Sequence, residues 1–304
     1  MSSNDLSITL LTFNRPIHTA KVLASMKEEK VERINIYMDA PCTQQDTLLQ
    51  SQLEEMYKRI DWADVQLIKR EENLGLAVSI VSAITEQLEI HEKIIVLEDD
   101  CCVRPGFFRF MTKALKKYAA NAQIRSVSGY QFPFVEKHRK KITEIALHRF
   151  NPWGWGTWND RWKDYSVDLK KIVELVKANG TYDLLGKDQQ TYCEEKYFLE
   201  KKADIWSINW DLLHYLTETF SISPSRTLID NIGFDGTGVH SQATNVFNVK
   251  KYDSITKEFP IFLSEYPACD KKVEIQVNKF MEMNSRKAMI KLQDATSKST
   301  YTSF

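Results

Sequence analysis

The sequence carries no excess charge of either sign: 41 Lys and Arg residues face 41 Asp and Glu, giving a formal net charge of zero. Nucleic-acid binders draw much of their affinity from neutralised phosphates and carry a basic excess. None is present, so nucleic acid is not an expected partner, and any polyanion handled is small and met at a local site. No run approaches the ~20 apolar residues that span a bilayer. The first residues, MSSNDLSITLLTFNRP, lack the basic and long apolar segments of a secretory signal. Cysteine is scarce. The five present (Cys42, Cys101, Cys102, Cys193, Cys269) are odd in number and form no CxxC pair, which speaks against a disulfide framework and against structural zinc. Adjacent Cys101 and Cys102 are expected to pack as small hydrophobes. The expectation is a cytoplasmic protein with at most peripheral contact at the inner face of a membrane.

The chain does have enough apolar residues for a sizeable core. Its 304 residues are 43% hydrophobic and 11% aromatic, which suits one large domain or two small ones. The first half alternates short apolar runs with amphipathic stretches. Strands are expected at Ser7–Phe13, Arg33–Asp39, Val65–Lys69 and Lys93–Glu98, and helices near Pro16–Glu28, Gln45–Ile60 and Leu74–Leu88. This alternation argues for βαβ units and an α/β, Rossmann-like, mostly parallel sheet covered by helices. In such sheets ligands bind beyond the carboxyl ends of the strands. Polar residues fall at those ends: Asn14 and Arg15, Asp39, Asn73, and Asp99 with Asp100. Each alone reads as a turn-former. Together they converge on one sheet edge.

The second half differs. Residues Arg149–Trp162 hold four of the seven tryptophans, a helical region is expected from Asp168 to Phe220, and a turn-rich segment covers Ser223–Ser241. The lysine-bearing stretch Lys271–Lys291 reads as a packed or solvated helix, with an anionic membrane or a second subunit as its other readings. Organisation is expected as an α/β half over 1–130, a second half over 131–250, and a C-terminal helical extension and tail over 251–304. The first two are parts of one continuous unit.

The strongest local signal is the apolar run Ile94–Leu97 leading into Glu98, Asp99 and Asp100, followed by a turn and a helix near Pro105. Like charges at a strand end repel and are costly to desolvate. A divalent cation removes that penalty, and carboxylates are the hard ligands that Mg2+ or Mn2+ prefer. An acidic turn capping the helix is the ordinary alternative. If the three acids were paired off with lysines and arginines, or turned from any cavity, the whole function reading built on them would fall.

This strand with its acidic triplet and the following Pro105-Gly106-Phe107-Phe108 resembles the metal-binding motif of GT-A-fold glycosyltransferases. It is most similar to the N-acetylglucosaminyltransferase I type and to bacterial family 2-like sugar transferases. Further motifs resemble that family in the same order. They are Thr12-Phe13-Asn14-Arg15, Asp39, Ser126-Val127-Ser128-Gly129, Phe150 to Trp155, Trp206 to Trp210-Asp211, and Ser225-Arg226-Thr227 through Gly238-Val239-His240-Ser241. The resemblance spans about residues 7–241 and rests on these motifs alone.

The resemblance implies a GT-A-like fold and an inverting sugar transfer from a UDP-sugar donor such as UDP-GlcNAc. The implied acceptor is a glycan or a lipid-linked precursor of a surface polysaccharide. Asp100 is implied as the direct metal ligand, Asp99 as a ligand or ribose contact, and Glu98 as the acid ordering the site from behind. Thr12, Asn14, Arg15, Asp39, Asn73 and His240 are implied on the nucleotide-sugar side, and Trp153, Gly154 and Trp155 on the acceptor side. Taken by themselves these tryptophans equally fit core packing. Asp211 alone fits a surface acid early in a helix Trp210–Phe220. The resemblance implies a general base whose pKa is raised by Ile208 and Trp210. Two rival readings are a sugar-nucleotide pyrophosphorylase, disfavoured because TFNRPIHT replaces a glycine-rich phosphate loop, and a non-catalytic sugar- or nucleotide-binding module.

Overall fold

The computed structural model describes residues 5–135, 141–194, 206–236, 244–248 and 259–284. The first half follows the expected alternation: β1 (Leu6–Thr12), α1 (Pro16–Glu28), β2 (Arg33–Met38), α2 (Gln44–Lys58), β3 (Asp64–Lys69), α3 (Leu76–Ile90) and β4 (Lys93–Glu98). Local chemistry explains the boundaries. Pro16 opens α1, where its missing N–H leaves no bond unmade. Thr43 and Asp46 form a reciprocal capping box at the start of α2.

The sheet then acquires further strands, of which the sequence announces only the one at Ser126–Ser128, through the family resemblance. After β5 (Cys101–Val103) and α4 (Phe107–Lys117) come β6 (Ile124–Ser128), β7 (Ile142–Leu147), β8 (Trp155–Trp158), β9 (Phe220–Pro224), β10 (Ile229–Asn231) and β11 (Ile261–Phe262). Among the described residues, nine of the eleven strands form one sheet in the order β11-β7-β9-β6-β8-β4-β1-β2-β3. Strands β1 to β4 pair in parallel. Strand β8 runs antiparallel between β4 and β6. The fold is α/β, with a mostly parallel central sheet flanked by helices.

Alternation along the strands separates two faces. Leu10, Ile34, Ile36, Ile95 and Leu97 point to one side, against Val22 and Met26 of α1, Leu53 of α2, and Phe110 and Met111 of α4. Leu11, Ile94 and Val96 point to the other, against Ile80 and Ile84 of α3 and an aromatic cluster of Trp155, Trp162, Trp206 and Trp210. Both faces are covered, which is why the strands read as continuous apolar runs.

Several expectations are corrected. The helix expected from Asp168 to Phe220 is broken into Leu169–Ala178, a 3-10 turn at Tyr182–Leu184, Lys187–Glu194 and Ser207–Leu216. Gly180 at φ +80° ends the first piece, and Phe220 already belongs to β9. Asp211 therefore sits inside a helix that begins at Ser207, and it is buried rather than at the surface. The helix expected at Pro105 begins at Phe107, because Cys101–Val103 first pairs with β10 as a short two-stranded sheet. None of the described helices is long and apolar enough to cross a membrane.

Candidate functional site

Strand β4 delivers Glu98 at the carboxyl edge of the sheet, and Asp99 and Asp100 follow in the turn to β5. The chain leaves β1 at the same edge, and Arg15 reaches across it. One guanidinium nitrogen donates to Asp100 Oδ2 at 2.9 Å and to Asp99 Oδ1 at 3.4 Å. A third strap comes from the segment after β10. The Ile232 N–H donates to the Asp100 carbonyl at 2.9 Å, and Gly233 lies directly against the Asp100 carboxylate. The next turn brings Asp235 to 2.9 Å from His18 Nε2 and to 3.8 Å from Arg15.

The electrostatics of this edge are unbalanced. Among the described residues, Arg15 is the cation seen pairing with the triplet, so there one guanidinium faces three carboxyl groups. The sequence-based condition that the acids not be paired off is thus met in part. Burial, followed by the charge of Asp100, pushes Asp99 up to about 7 despite Arg15 beside it. Glu98 is pushed up by burial and by both neighbouring aspartates. Carboxyls so perturbed hold protons near neutrality unless a cation replaces them. The oxygens of Asp99 and Asp100 are the hard donors that Mn2+ or Mg2+ takes. Both side chains keep some exposure, 12% and 18%. A surface depression of roughly 510 Å3 lies elsewhere, lined by Ser51, Gln52, Glu55, Met56 and Arg59, and carries none of this chemistry.

The other expected nucleotide-side residues shape neighbouring loops. The Asp39 carboxylate accepts from the backbone N–H of Ala40 and of Leu74, both at 3.0 Å. Asn73 donates to the Ala40 carbonyl at 2.6 Å. The ends of β2 and β3 are thereby locked together. Asn14 donates to Asp46 at 2.6 Å, and the buried Thr12 hydroxyl donates to the Tyr37 carbonyl at 3.1 Å. His240 lies outside the described residues, as do Thr237, Gly238, Val239 and Ser241 of the same motif.

On the acceptor side the three expected residues part company. Trp153 is half-buried, and its ring meets Phe234, Phe247 and Tyr130 at 5.2, 5.3 and 4.5 Å. It therefore flanks the loop that covers Asp100. Trp155 is 0% exposed, packed among Phe150, Trp162, Trp206 and Trp210. Its expected role as a sugar platform is corrected, since both ring faces are covered. Gly154 adopts φ +60°, and a Cβ there would collide with the Ile229 side chain and crowd the Phe107 ring, so the position needs glycine for its backbone conformation and for side-chain packing against it.

Asp211 belongs to a second, buried polar knot. Its oxygens accept from the Phe150 N–H at 2.7 Å and from the Gln189 side-chain amide. Arg149, itself fully enclosed, forms a bidentate pair with Asp188 at 2.7 and 3.0 Å. Burial pushes Asp211 up to about 6, against the opposing pull of Arg149 and the two donors. No contact described joins this knot directly to the acidic edge. The link is the chain itself, which runs from Phe150 to Trp153 beside Phe234.

Two residues escaped sequence reading. His18 carries no pattern there, being the third residue of an ordinary helix. Asp235 was visible only as one turn-former among several. Both enter the site because the segment after β10 folds back over α1.

No protein-family model matches the chain, and no curated protein matches it. Among solved structures, it is similar to the mannosyltransferase PcManGT from Pyrobaculum calidifontis in complex with GDP-Man and Mn2+, at 13% identity and a TM-score of 0.38. That alignment covers 70% of this chain and 73% of the other. It is also similar to A197 from STIV at 8% identity and a TM-score of 0.29, covering 53% and 69% of the two chains.

Proposed function

We propose that this chain is a metal-assisted glycosyltransferase acting on a nucleotide-diphosphate sugar. The observation that carries the reading is the unbalanced acidic edge: Asp99 and Asp100 lie beyond the carboxyl end of β4, under Arg15 and a covering loop, with more carboxylate than cation. Asp100 and Asp99 would hold Mn2+ or Mg2+, which would supply Lewis-acid stabilisation of the charge on the leaving nucleotide. Arg15 is aimed at the same place and acts on that growing charge more in the transition state than in the ground state. Glu98 supports the pair from the sheet, while Asp39 and Asn73 set the loops that border a nucleotide.

In the finer form of the proposal, the donor is a UDP-sugar, UDP-GlcNAc among them, and transfer inverts the anomeric centre. The acceptor is a glycan or lipid-linked saccharide. Asp211 is the general base, supported by its raised pKa, and the acceptor hydroxyl replaces one of its two present donors. Trp153 borders the acceptor.

The deciding experiment is a panel of UDP- and GDP-sugars screened for thermal stabilisation and hydrolysis with and without Mn2+. Mn2+-dependent stabilisation together with slow sugar release is expected. Binding that ignores the metal and never turns over would make the chain a sugar- or nucleotide-binding module. No Mn2+-dependent response to any nucleotide diphosphate would end the transferase reading.

A further inference from the structure

Far along the sheet from the acidic edge, three potential metal ligands converge. His148 follows β7, Cys269 lies beside that strand, and Glu274 is in the first turn of the helix covering 271–284. Their ligand atoms lie close to one another in pairs. Cys269 Sγ is 3.1 Å from Glu274 Oε2 and 3.7 Å from His148 Nδ1, and Glu274 Oε2 is 3.2 Å from the same nitrogen.

We propose that Cys269, His148 and Glu274 form a zinc site. Zinc bonds of about 2.3 Å to sulfur and about 2.0–2.1 Å to nitrogen and oxygen, at tetrahedral angles, place ligand atoms about 3.3–3.6 Å apart. The three observed separations lie just outside that range on either side, so shifts of a few tenths of an ångström bring the ligand atoms to it. A catalytic relay is a poorer description, because a relay puts thiol and carboxylate on opposite ring nitrogens. Here both crowd Nδ1. The donor set also suits a borderline cation and not Mg2+ or Mn2+, for which a thiolate is too soft.

The site is held in place on every side. Glu274 Oε1 accepts from the backbone N–H of His148 at 2.8 Å and of Arg149 at 3.3 Å, which leaves Oε2 to face the other ligands. The His148 ring stacks on Tyr215 at 5.5 Å and meets the edge of Phe220 at 4.9 Å. Cys269 is in a parallel bridge with Ala146, and the Asp270 N–H donates to the Ala146 carbonyl at 2.9 Å. Such outer contacts orient ligands in metal sites. Side-chain exposure of 16% for His148 and 13% for Glu274 leaves an approach for the ion and a fourth position for water. The thiol, which now donates to Glu274, releases its proton to solvent when the metal binds. A bound ion would clamp the C-terminal helix to the sheet, next to Arg149 and the knot that holds Asp211. The absence of a CxxC pair hid the site, because its ligands are 121 and 126 residues from His148 in sequence.

Cobalt(II), added to the chelator-stripped full chain, tests this directly. A thiolate ligand gives Co2+ an intense near-ultraviolet charge-transfer band, which the all-oxygen set at Asp99 and Asp100 cannot give. We expect one equivalent of Co2+ to raise the band in the native chain and in Asp100→Ala, Zn2+ to abolish it by displacement, and Cys269→Ser to lose it. No band in the native chain at saturating Co2+ would overturn the proposal and leave a hydrogen-bonded trio. A band that survives in Cys269→Ser would also overturn it, assigning the ligand to another thiol such as exposed Cys42. The native-chain measurement decides the matter even if the variant folds poorly.

Discussion

The Arg15 guanidinium donates to Asp100 Oδ2 at 2.9 Å and holds the place that a divalent cation would take. On the proposed function, arginine and metal would compete for one carboxylate before nucleotide arrives and would cooperate on the diphosphate afterwards. Arg15→Ala should bind Mn2+ alone at least as tightly as the native chain. It should lose about 2 kcal/mol of nucleotide diphosphate binding, the scale of a charged hydrogen bond. Calorimetric titration with each ligand checks this, and unchanged nucleotide affinity would remove Arg15 from the donor site.

Gly233 is where the covering loop touches Asp100, the acid proposed to hold the metal. A Cβ at that position would collide with the Asp100 carboxylate and crowd Asn231. Gly233→Ala should weaken Mn2+-dependent nucleotide binding by tenfold or more, about 1.4 kcal/mol. Its melting temperature should change little, because the strain falls on a loop. If affinity stays native while the fold is intact, the loop does not govern Asp100.

Asp211 titrates near 6 because burial disfavours its charged form. A general base must be deprotonated, so turnover should fall as pH drops through about 6. Asp211→Asn should lose turnover at every pH while keeping donor affinity. Stability carries the opposite signature: a raised folded pKa favours the fold fully below the ordinary value of 3.8, and that contribution is lost as pH rises through about 6. The Asn variant should lack this loss. Near-native turnover in Asp211→Asn would place the base elsewhere.

His214 works in the other direction. It is fully enclosed, with Nδ1–H donating to the Trp210 carbonyl at 2.8 Å, so the neutral ring accepts from the Ser126 hydroxyl at Nε2, also 2.8 Å. Burial holds its pKa down to about 3. Its contribution to stability is complete above the ordinary 6.5 and drains away as pH falls towards 3. Denaturant unfolding between these limits should show His214→Gln less acid-sensitive than the native chain. Equal acid sensitivity would mean that another group carries the effect.

Trp153 and Trp155 should separate cleanly. Trp155→Ala opens a cavity in the aromatic cluster and should cost about 3–5 kcal/mol of stability. Trp153→Ala should cost roughly 1–2 kcal/mol, by loss of ring contacts with Tyr130, Phe234 and Phe247. It should instead raise the KM for acceptor. A stable Trp155→Ala variant with impaired acceptor use would reverse the assignment.

The sequence by itself determined the parallel half of the sheet and the placement of the acidic triplet. Strands β1, β2 and β4 are largely buried, so each appears as an apolar run ending at a polar residue, while the half-exposed edge strand β3 alternates, and both patterns are local. Only the tertiary structure decided what each polar end touches. Whether Trp155 meets a sugar or other tryptophans, whether Asp39 meets a ribose or Leu74, and whether Cys269 has ligand neighbours all depend on contacts between distant segments. Strand β8 illustrates the reason: Trp155 pairs opposite Val96 only because the chain reverses between β4 and β6. Burial and pairing are set by which segments meet, and nothing in the spacing of one segment records its partner.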